Sequence, residues 1–134
     1  MGEFSISYNK EKNLATGVHL GSCGPQDTLN GIKVYYKGTI TKYSITDFSK
    51  AELLNVSGTE IAYLAEYMND ACRVRPPGSY DFLIVPDLLK FGLARMYHTY
   101  LAITAKNDVN LKTEVYRTME EALKRIDILI ALER

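Results

Sequence analysis

Four apolar residues in an unbroken row, Phe82-Leu83-Ile84-Val85, constrain this chain more than any other feature. Along a strand, successive side chains point to opposite faces, so such a run is stable only where both faces are covered. The flanking sequence supplies the cover. Upstream, Ile61, Leu64, Ala65 and Met68 repeat at helical spacing behind Ser57, and Pro76-Pro77-Gly78 closes that helix. Arg73 and Arg75 fall near its end, where cations suit the helix dipole. Downstream, Pro86-Asp87 opens a helix predicted to run to about Ala105, with Leu89, Leu93, Met96, Tyr97, Tyr100 and Ile103 on its apolar side. A doubly apolar strand between two helices belongs in the middle of a parallel sheet joined by right-handed crossovers.

The remaining elements extend that pattern. Phe4, Ile6 and Tyr8 alternate with polar residues, and Leu14, Thr16, Val18 and Leu20 share a face of a second strand across a polar turn, which predicts a hairpin. Residues from Pro25 to Gly38 are ambiguous. Leu29, Ile32 and Tyr36 fit a helix, whereas Ile32, Val34 and Tyr36 also alternate, and Gly31 weakens a helix by ~1 kcal/mol. The helix is preferred for Asp27 to Lys37. Tyr43 to Phe48 is β-branched and aromatic and predicts a third strand. After a turn at Asn107-Asp108, Leu111 to Arg117 predicts a last strand. Thr118 and Glu121 then form a capping box for a final helix, with Glu120–Lys124 and Glu121–Arg125 as i,i+4 pairs. The order ββαβαβαβα is that of an α/β sandwich: one domain over residues 1–134, a mixed five-stranded sheet, an N-terminal hairpin and about four helices.

Charge narrows the function classes. Lys plus Arg and Asp plus Glu both number 16, so the net charge is zero. A nucleic-acid binder needs surplus cations to displace counterions, and an electrostatic membrane anchor needs a basic patch, so neither is expected. No apolar run reaches the ~20 residues of a membrane span, and the first residues lack a secretory pattern. Cys23 and Cys72 stand far apart with no CxxC pair, which reads as two reduced thiols in a cytoplasmic protein. His19 and His98, the two imidazoles, have no clustered ligands or nucleophile beside them. No metal, no cofactor and no catalysis are expected.

Three sets of residues are candidates for function. Ser57 opens a helix with Glu60 three residues on; its hydroxyl caps free backbone N–H groups, or receives a phosphate whose charge the helix dipole tolerates. Ten tyrosines are many for this length; Tyr63, Tyr67, Tyr97 and Tyr100 recur at helical spacing on the two long helices, either as a core edge or as the lining of an apolar pocket. Arg95, beside them in sequence, either covers apolar surface with its stem or clamps an anion. Finally, Ile126, Ile128, Leu129, Ile130 and Leu132 point almost all round the last helix, so either its end inserts under the sheet or Ile126, Leu129 and Ile130 make a homodimer contact.

The segment Phe91-Gly92-Leu93-Ala94-Arg95-Met96-Tyr97, followed by Thr118-Met119-Glu120-Glu121-Ala122-Leu123 and preceded by Asp47-Phe48-Ser49, resembles the SpoIIAA-like group of small bacterial proteins, related to STAS (anti-sigma-factor antagonist) domains. The resemblance implies a sheet covered mainly by helices on one side, and it favours the helical reading of Asp27 to Lys37. It further implies a non-catalytic regulatory domain with a protein partner. In STAS antagonists an Asp-Ser-Ser-Gly turn opens a helix and its second serine is phosphorylated. Ser57 and Gly58 match that turn, while Asn55 stands in place of the acid and Val56 in place of the first serine. Likeness of some members to CRAL-TRIO lipid-binding domains implies a second class of partner, a small apolar ligand or lipid held between helices and sheet.

Overall fold

The computed structural model describes residues 2–54, 56–104 and 111–133. Strands β1 (Glu3–Asn9), β2 (Leu14–Cys23), β3 (Tyr43–Leu53), β4 (Ser79–Ile84) and β5 (Leu111–Tyr116) form one sheet in the order β1-β2-β3-β4-β5. The hairpin β1–β2 is antiparallel, and β2 to β5 run parallel. Asn13 turns the hairpin with φ 54, a left-handed conformation that Asn tolerates. Its side-chain oxygen then accepts the Lys42 amide at 3.1 Å, so the turn also sets the start of β3.

Helices α1 (Pro25–Lys37), α2 (Gly58–Ala71) and α3 (Leu88–Thr104) link successive parallel strands. Because spatial order follows chain order, right-handed crossovers place all three on one face. Helix α4 (Met119–Glu133) follows the last strand and covers the other face. The alternation of β3 and β4 serves both layers. Tyr43, Ile45, Phe82 and Ile84 pack on α4, whereas Phe48, Leu83 and Val85 meet α3. All four residues of the central apolar run are buried, as its composition requires.

The ambiguous segment is helical. Asp27 accepts the Gly24 amide at 2.8 Å at its start, and Gly38 ends it. Gly31, unfavourable by propensity, has a packing reason. A Cβ there would lie 2.9 Å from the His19 ring, which is itself fixed between Phe4 and Phe48. The missing side chain lets α1 settle onto β2. Strand β3 runs past Phe48 to Leu53, because β2 continues beside it as far as Cys23.

Some expectations are corrected. Arg75 does not decorate a helix end: α2 stops at Ala71, a 3-10 turn spans Cys72–Val74, and Arg75 turns into the interior, 3% exposed. Met96 is exposed, and Leu101 takes the buried place on α3. The side chains of Leu89 and Ile103, together with Ala105 and the turn at Asn107-Asp108, lie outside the described residues. Arg125 grips Glu114 of β5 through two contacts at 3.1 and 3.3 Å rather than Glu121, whereas Glu120–Lys124 forms at 3.3 Å.

The last helix inserts under the sheet. Ile126 is fully buried against Tyr43, Ile45, Phe82 and Ile84, and Leu129 and Ile130 pack against the same cluster. Ile126 is therefore core and is not available as a dimer contact. Glu133 fastens the helix end through Lys42 and, at 2.7 Å, the Tyr43 hydroxyl. Ile126→Ala is expected to cost about 2–5 kcal/mol of stability, the range for deleting a buried aliphatic side chain, without changing molecular mass in solution. Urea unfolding and light scattering on the same samples check both parts.

Candidate functional site

The helix-facing register of β4 carries Asp81 and Leu83 in alternation, and Val85 continues it just past the strand. Asp81 therefore sits in mid-sheet beneath α1, α2 and α3, with 3% of its surface exposed. Ser44 on the neighbouring strand donates to Asp81 Oδ1 at 3.0 Å. Arg75 Nη1 donates to the same Ser44 oxygen at 3.0 Å, and its Nη2 reaches the carbonyls of Thr41, Lys42 and Tyr80, each at 3.2 Å. The guanidinium also stacks over the Tyr35 ring, 5.1 Å away. Burial raises the Asp81 carboxyl above its ordinary range, while Arg75 and the hydroxyls of Ser44 and Thr46 oppose that shift. Loss of hydration therefore prevails over the nearby cation.

Beside this cluster, between the helix layer and the sheet, lies a cavity of about 90 Å³. Ile61, Leu64, Leu83, Val85 and Ala94 give it apolar walls, and Leu53, Val56 and Leu93 a half-exposed rim. Its polar points are Thr28, Thr46, Asp81 and Tyr97. A smaller void of about 40 Å³ adjoins it, sharing Thr28, Ile32, Thr46, Met68 and Asp81, and continues past His19 and Arg75. Asp81 thus stands where the two spaces meet.

The expected site residues scatter around this feature. Tyr97 borders the cavity, and burial followed by the nearby Asp81 pushes its hydroxyl well above the ordinary phenol value. The other expected lining residues stand elsewhere. Tyr63 is 57% exposed. Tyr67 lies under Lys33 on the α1–α2 seam, 5.8 Å from ring centre to ammonium. Tyr100 packs among Ala65, Met68 and Leu101, its hydroxyl near Gly58. Arg95, two positions before Tyr97, emerges on the opposite side of α3, exposed over an outer groove with His98, Glu114 and Arg125. Arg95 and Tyr97 do not share a site.

Ser57 is the N-cap of α2, exposed, with a complete capping box. Its hydroxyl accepts the Glu60 amide at 3.1 Å, and the Glu60 carboxylate accepts the Ser57 amide at 3.0 Å. Asn55, in the same connection, lies outside the described residues. Leu54 and Tyr63 present apolar surface to solvent on either side of the cap in sequence.

Asp81 and Arg75 escaped the sequence reading. A signal existed for Asp81, since an acidic residue in register with Leu83 and Val85 on the most apolar strand must be buried. None existed for Arg75, whose inward turn depends on the 3-10 exit from α2. Cys23 Sγ approaches His19 Nδ1 at 3.7 Å, yet this is not an activated pair. Both are buried; burial pushes the thiol up and holds the imidazole, despite the opposing Asp27, down at about 4. Cys23 and Cys72 are both buried.

With the geometry in view, the chain can be set beside known proteins. A crystal structure of an uncharacterised protein with a SpoIIAA-like fold, from Shewanella loihica PV-4, aligns over 93% of this chain and 93% of its own, with a TM-score of 0.56 and 9% sequence identity. This chain has a SpoIIAA-like fold. An anti-sigma factor antagonist from Mycobacterium paratuberculosis aligns over 95% of both chains at 12% identity, with a TM-score of 0.48. No protein-family model matches the sequence, and no curated protein does. Within the SpoIIAA-like fold, no helix among the described residues is long and apolar enough to cross a membrane.

His19 supplies a test of the buried cluster through its pH response. Its pKa is about 4 when folded and near the ordinary 6.5 when unfolded, so the unfolded chain binds more protons between those values. The stability it protects is complete above pH 6.5 and is lost as pH falls toward 4, by roughly 3 kcal/mol. Urea unfolding at several pH values should show this slope, and His19→Gln should flatten it.

Proposed function

We propose that this chain is a non-catalytic binding domain that holds a small apolar molecule between helices α1–α3 and the sheet. The observation that carries the reading is the cavity of about 90 Å³, walled by Ile61, Leu64, Leu83, Val85 and Ala94 and reaching a half-exposed rim. Natural interiors are packed like organic crystals, with few voids larger than a water molecule. An apolar hollow of this size forfeits packing energy unless something occupies it. The position also fits, since it lies between the crossover helices and the parallel strands, on the face carrying three of the four helices.

Toluene is the simplest probe. In ¹H–¹⁵N spectra of the full chain it should shift the amides of Ile61, Leu64, Leu83, Ala94 and Tyr97 together. Ala94→Leu, which puts a side chain into the space, should abolish those shifts and raise stability by about 1 kcal/mol. Shifts spread over the surface, or none at all, would remove the basis for a ligand site.

A second reading concerns the exposed cap. Ser57 lies beside Val56, which borders the cavity, and near the exposed Leu54 and Tyr63, so this end of α2 offers an apolar docking face for a regulatory protein partner. Phosphorylation of Ser57 would place negative charge on that apolar face while leaving the helix intact. Ser57→Ala should cost ~1 kcal/mol through loss of the cap and leave partner capture intact. Ser57→Asp should keep the stability, since Asp also caps, and weaken capture. Equal recovery of host partners by wild type and Ser57→Asp would refute the switch.

A further inference from the structure

We infer that the cavity selects a compact, uncharged apolar molecule of about one ring bearing a single hydroxyl, and that Asp81 and Thr46 receive that hydroxyl. The inference rests on the cavity being a ligand site, and it adds which chemistry fits.

Size comes first. The main cavity and its neighbour measure about 90 and 40 Å³ and adjoin. Together they approach the ~150 Å³ that holds benzene in an engineered protein cavity. A long acyl chain does not fit without displacing the helices.

The polar end comes next. Thr28, Thr46, Asp81 and Tyr97 supply the polar groups of the lining, and Asp81 borders both spaces. Ser44 and Thr46 both engage the Asp81 carboxyl, which keeps further acceptor positions whether or not it is ionised. Acceptor capacity therefore remains on the acid, and the Thr46 hydroxyl adjoins it. A ligand hydroxyl can donate to a remaining lone pair of the carboxyl group while lying beside the Thr46 oxygen, which a hydrocarbon cannot.

Charge then discriminates. No lysine, arginine or histidine borders the larger cavity among the described residues. Arg75 borders only the smaller of the two spaces, with Nη1 directed at Ser44 and Nη2 at three backbone carbonyls. A ligand carboxylate would lie unhydrated near a buried acid, and the cation nearest it, Arg75 at the smaller void, already gives Nη1 and Nη2 to Ser44 and backbone carbonyls, a costly arrangement. An ammonium would shed its own hydration to reach Asp81. Burial favours the neutral form of Asp81, which weakens the attraction that would repay that loss. A neutral hydroxyl avoids both penalties.

Four probes of nearly one shape separate these cases: benzyl alcohol, toluene, benzoate and benzylamine, each titrated into the full chain and followed by amide shifts. Benzyl alcohol should bind at least about tenfold more tightly than benzoate or benzylamine. In Asp81→Ala, the affinity for benzyl alcohol relative to toluene should fall by about tenfold, the loss typical of one hydrogen bond to a buried carboxyl group. Thr46→Val, nearly isosteric, should lower the same ratio and serves if Asp81→Ala does not fold. Benzoate or benzylamine binding as tightly as benzyl alcohol would overturn the inference, as would an alcohol-to-toluene ratio unmoved by the variants that fold. Either result leaves the cavity standing as a ligand site. Failure of all four probes would overturn that site reading as well, and this inference with it.

Discussion

The arrangement on which the rest depends is the burial of Arg75 over the starts of two parallel strands. Its guanidinium ties the carbonyls of Thr41, Lys42 and Tyr80 to Ser44, and Ser44 in turn holds Asp81. Buried ionic groups are weak sources of net stability, because desolvation offsets much of the attraction. Their effect here is specificity of position. Five donors in a rigid fork admit few geometries, so the exit from α2, the entry into β3 and the entry into β4 are set relative to one another. That in turn places Asp81 under the helices instead of at the sheet surface.

The two faces of the sheet are packed on different principles. Against α4 the core contacts are aromatic and aliphatic: Tyr43, Ile45, Phe82 and Ile84 meet Ala122 and Ile126. Against α1–α3 the sheet offers Ser44, Thr46 and Asp81 among its apolar residues, and Gly31 brings α1 down close over His19. Three helices laid side by side over such a mixed surface leave the hollow described above. The tightly packed face supplies stability, and the looser face is where a ligand reading and a partner reading both arise.

Much of the fold was legible in the sequence. The capping signals at Ser57 and Thr118 pointed to real helix starts: Ser57 has both bonds of the box, and Thr118 accepts the Glu121 amide. Caps are local, spanning three residues, so local pattern suffices to find them. The candidate site was less legible. Tyr97, on an apolar helix face, borders the cavity, whereas Arg95, two residues before it, and Tyr63 and Tyr67 on α2 face elsewhere. Spacing along a helix gives relative direction, and only the docking angle of the helix decides which direction is inward.

The sequence by itself determined the alternation of strands and helices, the doubly covered β4 and the helix caps, since each follows from periodicity and short-range hydrogen bonding. Tertiary structure alone decided that Arg75 turns inward, that Asp81 borders a cavity and that Ile126 fills the core. The first two outcomes depend on groups 31 and 37 residues apart meeting, as in the Arg75–Ser44 and Ser44–Asp81 bonds, and the third on partners more distant still. No local pattern records which distant partner will be waiting where a side chain arrives.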